Sequence, residues 1–138
     1  MIRKILLAFD GSEPSRKALS FAMDLARNHN AELAVLTVAE VPQLPEDVET
    51  TAILEQSQAA HQKLLESVGD ELRSSGRQAS LHLAVGHPAH QILGEASQLG
   101  VDVIVLGHRG RGLLDRWRLG SVTHRVISYA ECAVTVVR

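Results

Sequence analysis

The chain has 138 residues, 45% hydrophobic and 22% charged, which suits one globular domain with one core and excludes a disordered, collagen-like or disulfide-stapled chain. Aromatic residues make up 3%, so Leu, Val, Ile and Ala must fill the core, and the stacking rings of single-stranded nucleic-acid modules are missing. The net charge of -2 conceals five arginines against one acid, Asp115, between Gly107 and Arg125, a local +4 on a body of -6 that favours a small anion over a long polyanion.

Ile5 to Phe9 is a continuous apolar run that reads as a strand buried on both faces, and it ends at Asp10. It is too short for a signal-peptide core or a membrane span. With a single cysteine, Cys132, this predicts a cytoplasmic protein without membrane insertion. Ser12, Glu13 and Pro14 then open a helix that buries Ala18, Ala22, Leu25 and Ala26 and fades at Asn28 to Asn30. Leu33 to Val38 is the second strand. Residues 41–47, with Pro42 and Pro45, form a loop long enough to act as a flap. The second helix, Glu49 to Ser74, places Ile53, Ala60, Leu64, Val68 and Leu72 on one stripe and stops at Ser74-Ser75-Gly76.

In Ser80 to Val85, Leu81, Leu83 and Val85 alternate with Ser80, His82 and Ala84, as in an edge strand. A third helix follows from Pro88 to Leu99 on Ala89, Ile92, Leu93 and Ala96. Val101 to Leu106, broken by Asp102, reads as a central strand. The last helix starts near Ser121 with Val122, Val126 and Tyr129 on one face, and Ala133 to Val137 closes the chain as a second edge.

Alternating strands and helices imply a parallel sheet with right-handed crossovers. With alternating strands at the edges and continuous ones inside, the fold class is α/β, a single-domain open five-stranded parallel sheet of order 3-2-1-4-5 with helices on both faces. The winding reverses between strands 1 and 4, and the crevice at their carboxyl ends is where such sheets bind ligands. Asp10 ends one of these strands and Gly107 follows the other.

Gly107-His108-Arg109-Gly110-Arg111-Gly112 leads on to Gly120-Ser121 at a helix start. Glycines permit close amide approach and positive φ, and the helix start offers free N–H groups, so the segment outlines a phosphate cradle. No Gly-Lys-Ser/Thr ends it, and Asp115 stands where a dinucleotide fingerprint needs its third glycine. A receiver domain would place an aspartate after strand 3, where Gly86-His87-Pro88 stands instead. His87 and His90 have no further ligand at metal spacing, and Ser12 with His124 lacks an elbow and an orienting acid.

The spacing Gly107, two residues, Gly110, nine residues, Gly120-Ser121 resembles the ATP-binding signature of the universal stress protein family. Lys4 to Leu7 leading to Asp10-Gly11-Ser12, the Gly86-His87-Pro88 turn and the Val134 to Val137 strand are family landmarks in the same order. The resemblance implies a Rossmann-like, adenine nucleotide alpha hydrolase-like domain over 1–138, a homodimer, and a stress-response regulatory role. Carried over by position, Asp10 faces the ribose or a metal such as Mg²⁺. The backbone at Ala8 and Val38 holds the adenine. Gly11 and Ser12 join the site, and Gly107, His108, Arg109, Gly110, Arg111 and Gly112 with Gly120, Ser121 and Val122 wrap the phosphates of ATP. Ala133, Val134, Thr135, Val136 and Val137 form the dimer interface. No general base is evident, so catalysis is expected to be weak ATP hydrolysis or autophosphorylation at most. The alternatives are a slow ATPase or autokinase in the same crevice, and an interaction module without nucleotide. The regulatory protein partner and the pathway served stay unspecified.

Overall fold

A computed structural model describes residues 1–40, 48–108 and 119–138. The proposed flap and Arg109, Gly110, Arg111 and Gly112 lie outside the described residues. The elements run β1 (Lys4–Ala8), α1 (Glu13–His29), β2 (Glu32–Ala39), α2 (Val48–Ser74), β3 (Ser80–Val85), α3 (Pro88–Leu99), β4 (Val103–Gly107), α4 (Ser121–Tyr129) and β5 (Ala133–Val137). The strands form one parallel sheet in the order β3-β2-β1-β4-β5, as the sequence predicts.

Two cores explain the continuous apolar strands. Ile5, Leu7, Val103 and Val105 pack beneath Ala18, Ala22, Leu65, Val68 and Leu72 of α1 and α2. Leu6, Ala34, Leu36, Ile104 and Leu106 pack beneath Ala89, Ile92, Ala96 and Val126 of α3 and α4. Successive residues of a strand point to opposite faces, so both parities must be apolar where both faces are covered. Each fully buried Leu, Ile or Val contributes about 1.5–3 kcal/mol.

The predicted helix ends have local causes. Ser12 caps α1, its side chain accepting the Ser15 N–H, and Asn30 closes it in the left-handed region at φ 51°. Gly100 at φ 65° closes α3 by donating to the Ala96 and Ser97 carbonyls.

Some expectations need correction. β4 begins at Val103, and Asp102 just before it joins the start of β1, its N–H donating to the Lys4 carbonyl at 2.9 Å and its carboxylate accepting the Arg3 and Lys4 N–H groups at 2.7 and 3.0 Å. Leu25 is half-buried, while Leu19 joins the core. Ile53 and Ala60 are exposed. The 27 residues of α2 extend about 40 Å, whereas the eight of β2 span about 26 Å, so its early turns overhang the sheet. Tyr129 is 70% exposed, since α4 buries Thr123 and Val126 and the half-buried Ala130 continues that face. Leu81 and Leu83 of β3 stay partly exposed at the sheet edge. Cys132 is half-buried, and burial pushes its thiol pKa up. No helix among the described residues is long and apolar enough to cross a membrane.

Candidate functional site

At the carboxyl ends of the strands, where β1 and β4 part toward helices on opposite faces, a cleft of about 430 Å³ opens. Ala8, Leu36, Val38, Ile92 and Leu106 give it an apolar floor, and Asp10, Ser12, Ser15, Glu40, Ser57, His61 and Thr123 a polar rim. An apolar cavity of this size with a few convergent polar groups is the usual form of a small-molecule site.

The β1–α1 turn supplies one wall. Asp10 accepts the Ser12 N–H through Oδ1 at 2.9 Å, and the Ser15 hydroxyl donates to the Ser12 carbonyl at 2.9 Å. Gly11 stands at φ 82°, and a Cβ there would meet Leu64 Cδ1 at 3.1 Å, so the turn is pressed against α2. Below it, buried Thr37 donates to the Phe9 carbonyl at 2.9 Å, while the Phe9 N–H donates to Leu36, tying the end of β1 to β2.

Gly107 is the last residue of β4. A Cβ on it would lie 2.5 Å from the Pro14 carbonyl carbon, so its missing side chain lets the first turn of α1 rest on the strand end. Its φ is not positive, nor is that of Gly120, at -61°. Gly107 therefore serves close approach, and the expectation of positive φ is corrected for both glycines. Gly120 is the N-cap of α4 and, having no side chain, offers the amides of the first α4 turn no capping hydrogen bond. Val122 and Thr123 of that turn line the cleft.

Of the residues singled out by sequence, Ala8, Asp10, Ser12, Val38, Gly107 and Val122 line the cleft. Gly11 supports the turn from beneath Leu64, and Gly120 and Ser121 stand at the α4 N-terminus without lining the cavity. His108 is 5% exposed and its N–H donates to the Val137 carbonyl at 2.7 Å. It packs at the β4–β5 seam instead of lining the cavity, and its Nε2 has no hydrogen-bond partner among the described residues. His124 is exposed on α4, and His87 is the exposed N-cap of α3. Ala133, Val134, Thr135, Val136 and Val137 form the free edge strand, paired with β4.

Sequence reasoning missed Ser15, Glu40, Ser57, His61 and Thr123. Two of these left a signal: counting back from Leu72 and Val68 in steps of three or four through Leu64, the stripe of α2 reaches His61 and Ser57. Polar residues at stripe positions mark the point where the helix leaves the core and faces the cleft. The ionisable groups among the described lining residues are Asp10, Glu40 and His61, and those residues hold no cluster of three or more metal-ligating side chains.

The model of the universal stress protein family matches residues 1–138. A universal stress protein of Bacillus subtilis, YxiE, is 37% identical over 153 residues, covering 100% of each chain. Universal stress protein UspA from Lactobacillus plantarum superposes with a TM-score of 0.87 at 26% identity, over 99% of this chain and 98% of that one. Two more distant neighbours share the fold: a universal stress protein in complex with cAMP, at TM-score 0.76 and 21% identity over 99% and 97% of the two chains, and one from Archaeoglobus fulgidus in complex with dAMP, at 0.63 and 22% over 100% and 98%. A whole-length family match, a full-length relative above 30% identity and the shared sheet order lead to one assignment: the chain belongs to the universal stress protein family.

Proposed function

We propose that the protein binds an adenine nucleotide, ATP, in the cleft between β1 and β4, and acts as a stress-response regulator whose nucleotide-dependent conformation governs a partner protein. The observation that carries this is the position of the first α4 turn: Val122 and Thr123 line the cleft beside Gly107, so a helix N-terminus whose glycine N-cap supplies no side-chain cap opens onto the switch point of the sheet. Helix N-termini favour anions through free N–H groups and the helix dipole. The apolar floor around Ala8 and Val38 suits a base, and the cAMP and dAMP complexes of structural neighbours agree with this class of ligand.

In this reading Gly107 and Ser121 contact the phosphates together with Arg109, Gly110, Arg111 and Gly112, and Asp10 serves the ribose or an Mg²⁺ ion. Magnesium is commonly held by one or two carboxylates together with substrate phosphates, so Asp10 suffices on the protein side. The protein works in the cytoplasm as a homodimer joined along Ala133–Val137, where β5 leaves one edge of the sheet open.

The test is the nucleotide content of the purified protein, followed by calorimetric titration of the nucleotide-free protein with ATP and Mg²⁺. Saturable binding is expected. Protein that purifies without nucleotide and takes up none at millimolar ATP overturns the reading, and turnover at saturating ATP separates a regulator from a slow ATPase.

A further inference from the structure

Away from the cleft, the edge strand β3 and helix α3 bring three side chains into one hydrogen-bonded chain. Ser80 and His82 are two apart on β3, so they share a face of the sheet, the one that α3 covers. Ser80 Oγ lies 3.0 Å from His82 Nε2, and His82 Nδ1 lies 3.0 Å from Oε1 of Glu95 on α3. An ionised carboxylate only accepts, so in the neutral ring Nδ1 carries the proton and Nε2 is the acceptor. The exposed Ser80 hydroxyl therefore donates to Nε2, while half-buried Glu95 fixes the tautomer and plane of the ring. Hydroxyl, imidazole and carboxylate in this connectivity form the arrangement that activates a serine nucleophile.

Two features of the surroundings suit an acyl substrate. The Gly86 N–H donates to the Ala39 carbonyl of β2, so by strand alternation the Leu81 N–H points to the open edge of the sheet. The N–H of the residue after the nucleophile is a common oxyanion donor in serine hydrolases. Ser80 also lines a hollow of about 40 Å³ with Lys4, Ala34, Leu99 and Val101, which has room for an acetyl-sized group and none for a long chain. Ser80 and Lys4 begin their strands, and none of Ser80, His82 and Glu95 lines the cleft.

We infer that Ser80 is a nucleophile for acyl transfer from small carboxylic esters, with His82 as its general base and Glu95 as the residue that positions His82. Ser80 Oγ bonds to the ester carbonyl carbon as its proton passes to His82 Nε2. The bond from that carbon to the alcohol oxygen then breaks, and the proton leaves with the alcohol. Water repeats the sequence on the acyl-serine, releasing the carboxylic acid and restoring Ser80.

The experiment is incubation of the purified protein with p-nitrophenyl acetate, read by p-nitrophenol release and by peptide mass spectrometry after acid quenching. Ser97, exposed on α3 and without a histidine bonded to its hydroxyl among the described residues, is the internal control. A positioned base contributes about 10²–10⁴-fold, so Ser80 should be acetylated about 100-fold faster than Ser97 or, where the acyl group turns over before quenching, p-nitrophenol release should be lost in Ser80→Ala. His82→Gln and Glu95→Gln should each slow the reaction at Ser80 by about tenfold or more while Ser97 keeps its rate. Glutamine keeps the shape of Glu95, so a fall there reads its charge and not its packing. Ser80 that reacts no faster than Ser97, with p-nitrophenol release that survives Ser80→Ala, overturns the inference, as does a Ser80 rate that survives His82→Gln. p-Nitrophenyl octanoate should react more slowly than the acetate, and an equal rate overturns the assignment of a small acyl group.

Discussion

Replacing Gly107 with alanine should unfold the protein at a markedly lower temperature even without nucleotide. The added Cβ would stand 2.5 Å from the carbonyl carbon and 2.6 Å from the oxygen of Pro14, and 2.7 Å from the Ser15 nitrogen. Carbon atoms in good contact sit about 3.5–4.0 Å apart, so the start of α1 must retreat by about 1 Å. All three obstacles are backbone atoms and cannot swing aside as a side-chain end could. That backbone is held by the Ser12 cap and by Ser15, which is 3% exposed. Overpacking costs typically about 1–3 kcal/mol, and a backbone obstacle belongs at the upper end. For a domain of 138 residues, about 3 kcal/mol lowers the thermal midpoint by about 10 °C. Scanning calorimetry of the nucleotide-free protein measures this directly. Gly94→Ala is the control: it sits inside α3 with nothing within 4 Å of the new Cβ, and should stabilise by about 0.5–1 kcal/mol. A Gly107→Ala midpoint within about 2 °C of wild type would show the tight packing of α1 on β4 to be wrong, since the predicted shift is several times larger.

Other substitutions separate binding from folding. Asp10→Ala should weaken ATP about tenfold through loss of a charged acceptor, and lower the nucleotide-free midpoint by about 3 °C through loss of the Ser12 N–H bond; unchanged affinity in a titration removes Asp10 from the site. The Arg3 and Lys4 N–H groups hold the Asp102 carboxyl below its ordinary value of 3.8, so the stability it adds is complete above that value and is lost as pH falls through the lowered one. The midpoint gap between wild type and Asp102→Ala should therefore be constant from about pH 7 to 5 and narrow below about pH 4, and a gap still as wide at pH 2 contradicts the linkage. On β5, the Val137 carbonyl accepts from His108 on the β4 side, so by strand alternation the Val136 N–H points to the open edge. Val136→Pro should then keep the fold and lose the proposed dimer, and light scattering that still finds a dimer refutes that interface.

The architecture was legible because burial on two faces leaves a signature that one-sided burial does not. Ile5 to Phe9 and Leu33 to Val38 are apolar at both parities, which identified the strands between two helix layers and fixed the sheet order. Ser12 and Pro14 announced α1 through chemistry confined to one turn. The site was legible in part, for Asp10 and Gly107 end the strands that part at the switch point. What stayed hidden depends on non-local contacts. The stripe of α2 was extended to Ile53 and Ala60 as though the sheet continued beneath them, and Ser57 and His61 were lost from view. The packing role of Gly107 was hidden because spacing cannot reveal that Pro14 passes 2.5 Å from where its Cβ would be. The burial of His108 was hidden because it follows from the pairing with Val137, far along the chain.

The contacts that shape the cleft are the same ones that join the elements around it. Thr37 ties β2 to the Phe9 carbonyl, Gly11 admits Leu64 of α2 to the β1–α1 turn, and Gly107 seats α1 on β4. Each lies within the cleft wall or directly beneath it, so the wall has little freedom to change shape while the sheet stays intact. α2 differs. It is held along its later turns by Leu65, Val68 and Leu72, while its cleft-facing Ser57 and His61 precede that anchored stretch. A ligand filling the cleft would touch both a rigid wall and the less anchored part of a helix. Conformational change on binding is therefore expected at α2 before the β1–α1 turn, because local stability follows the density of buried apolar contacts.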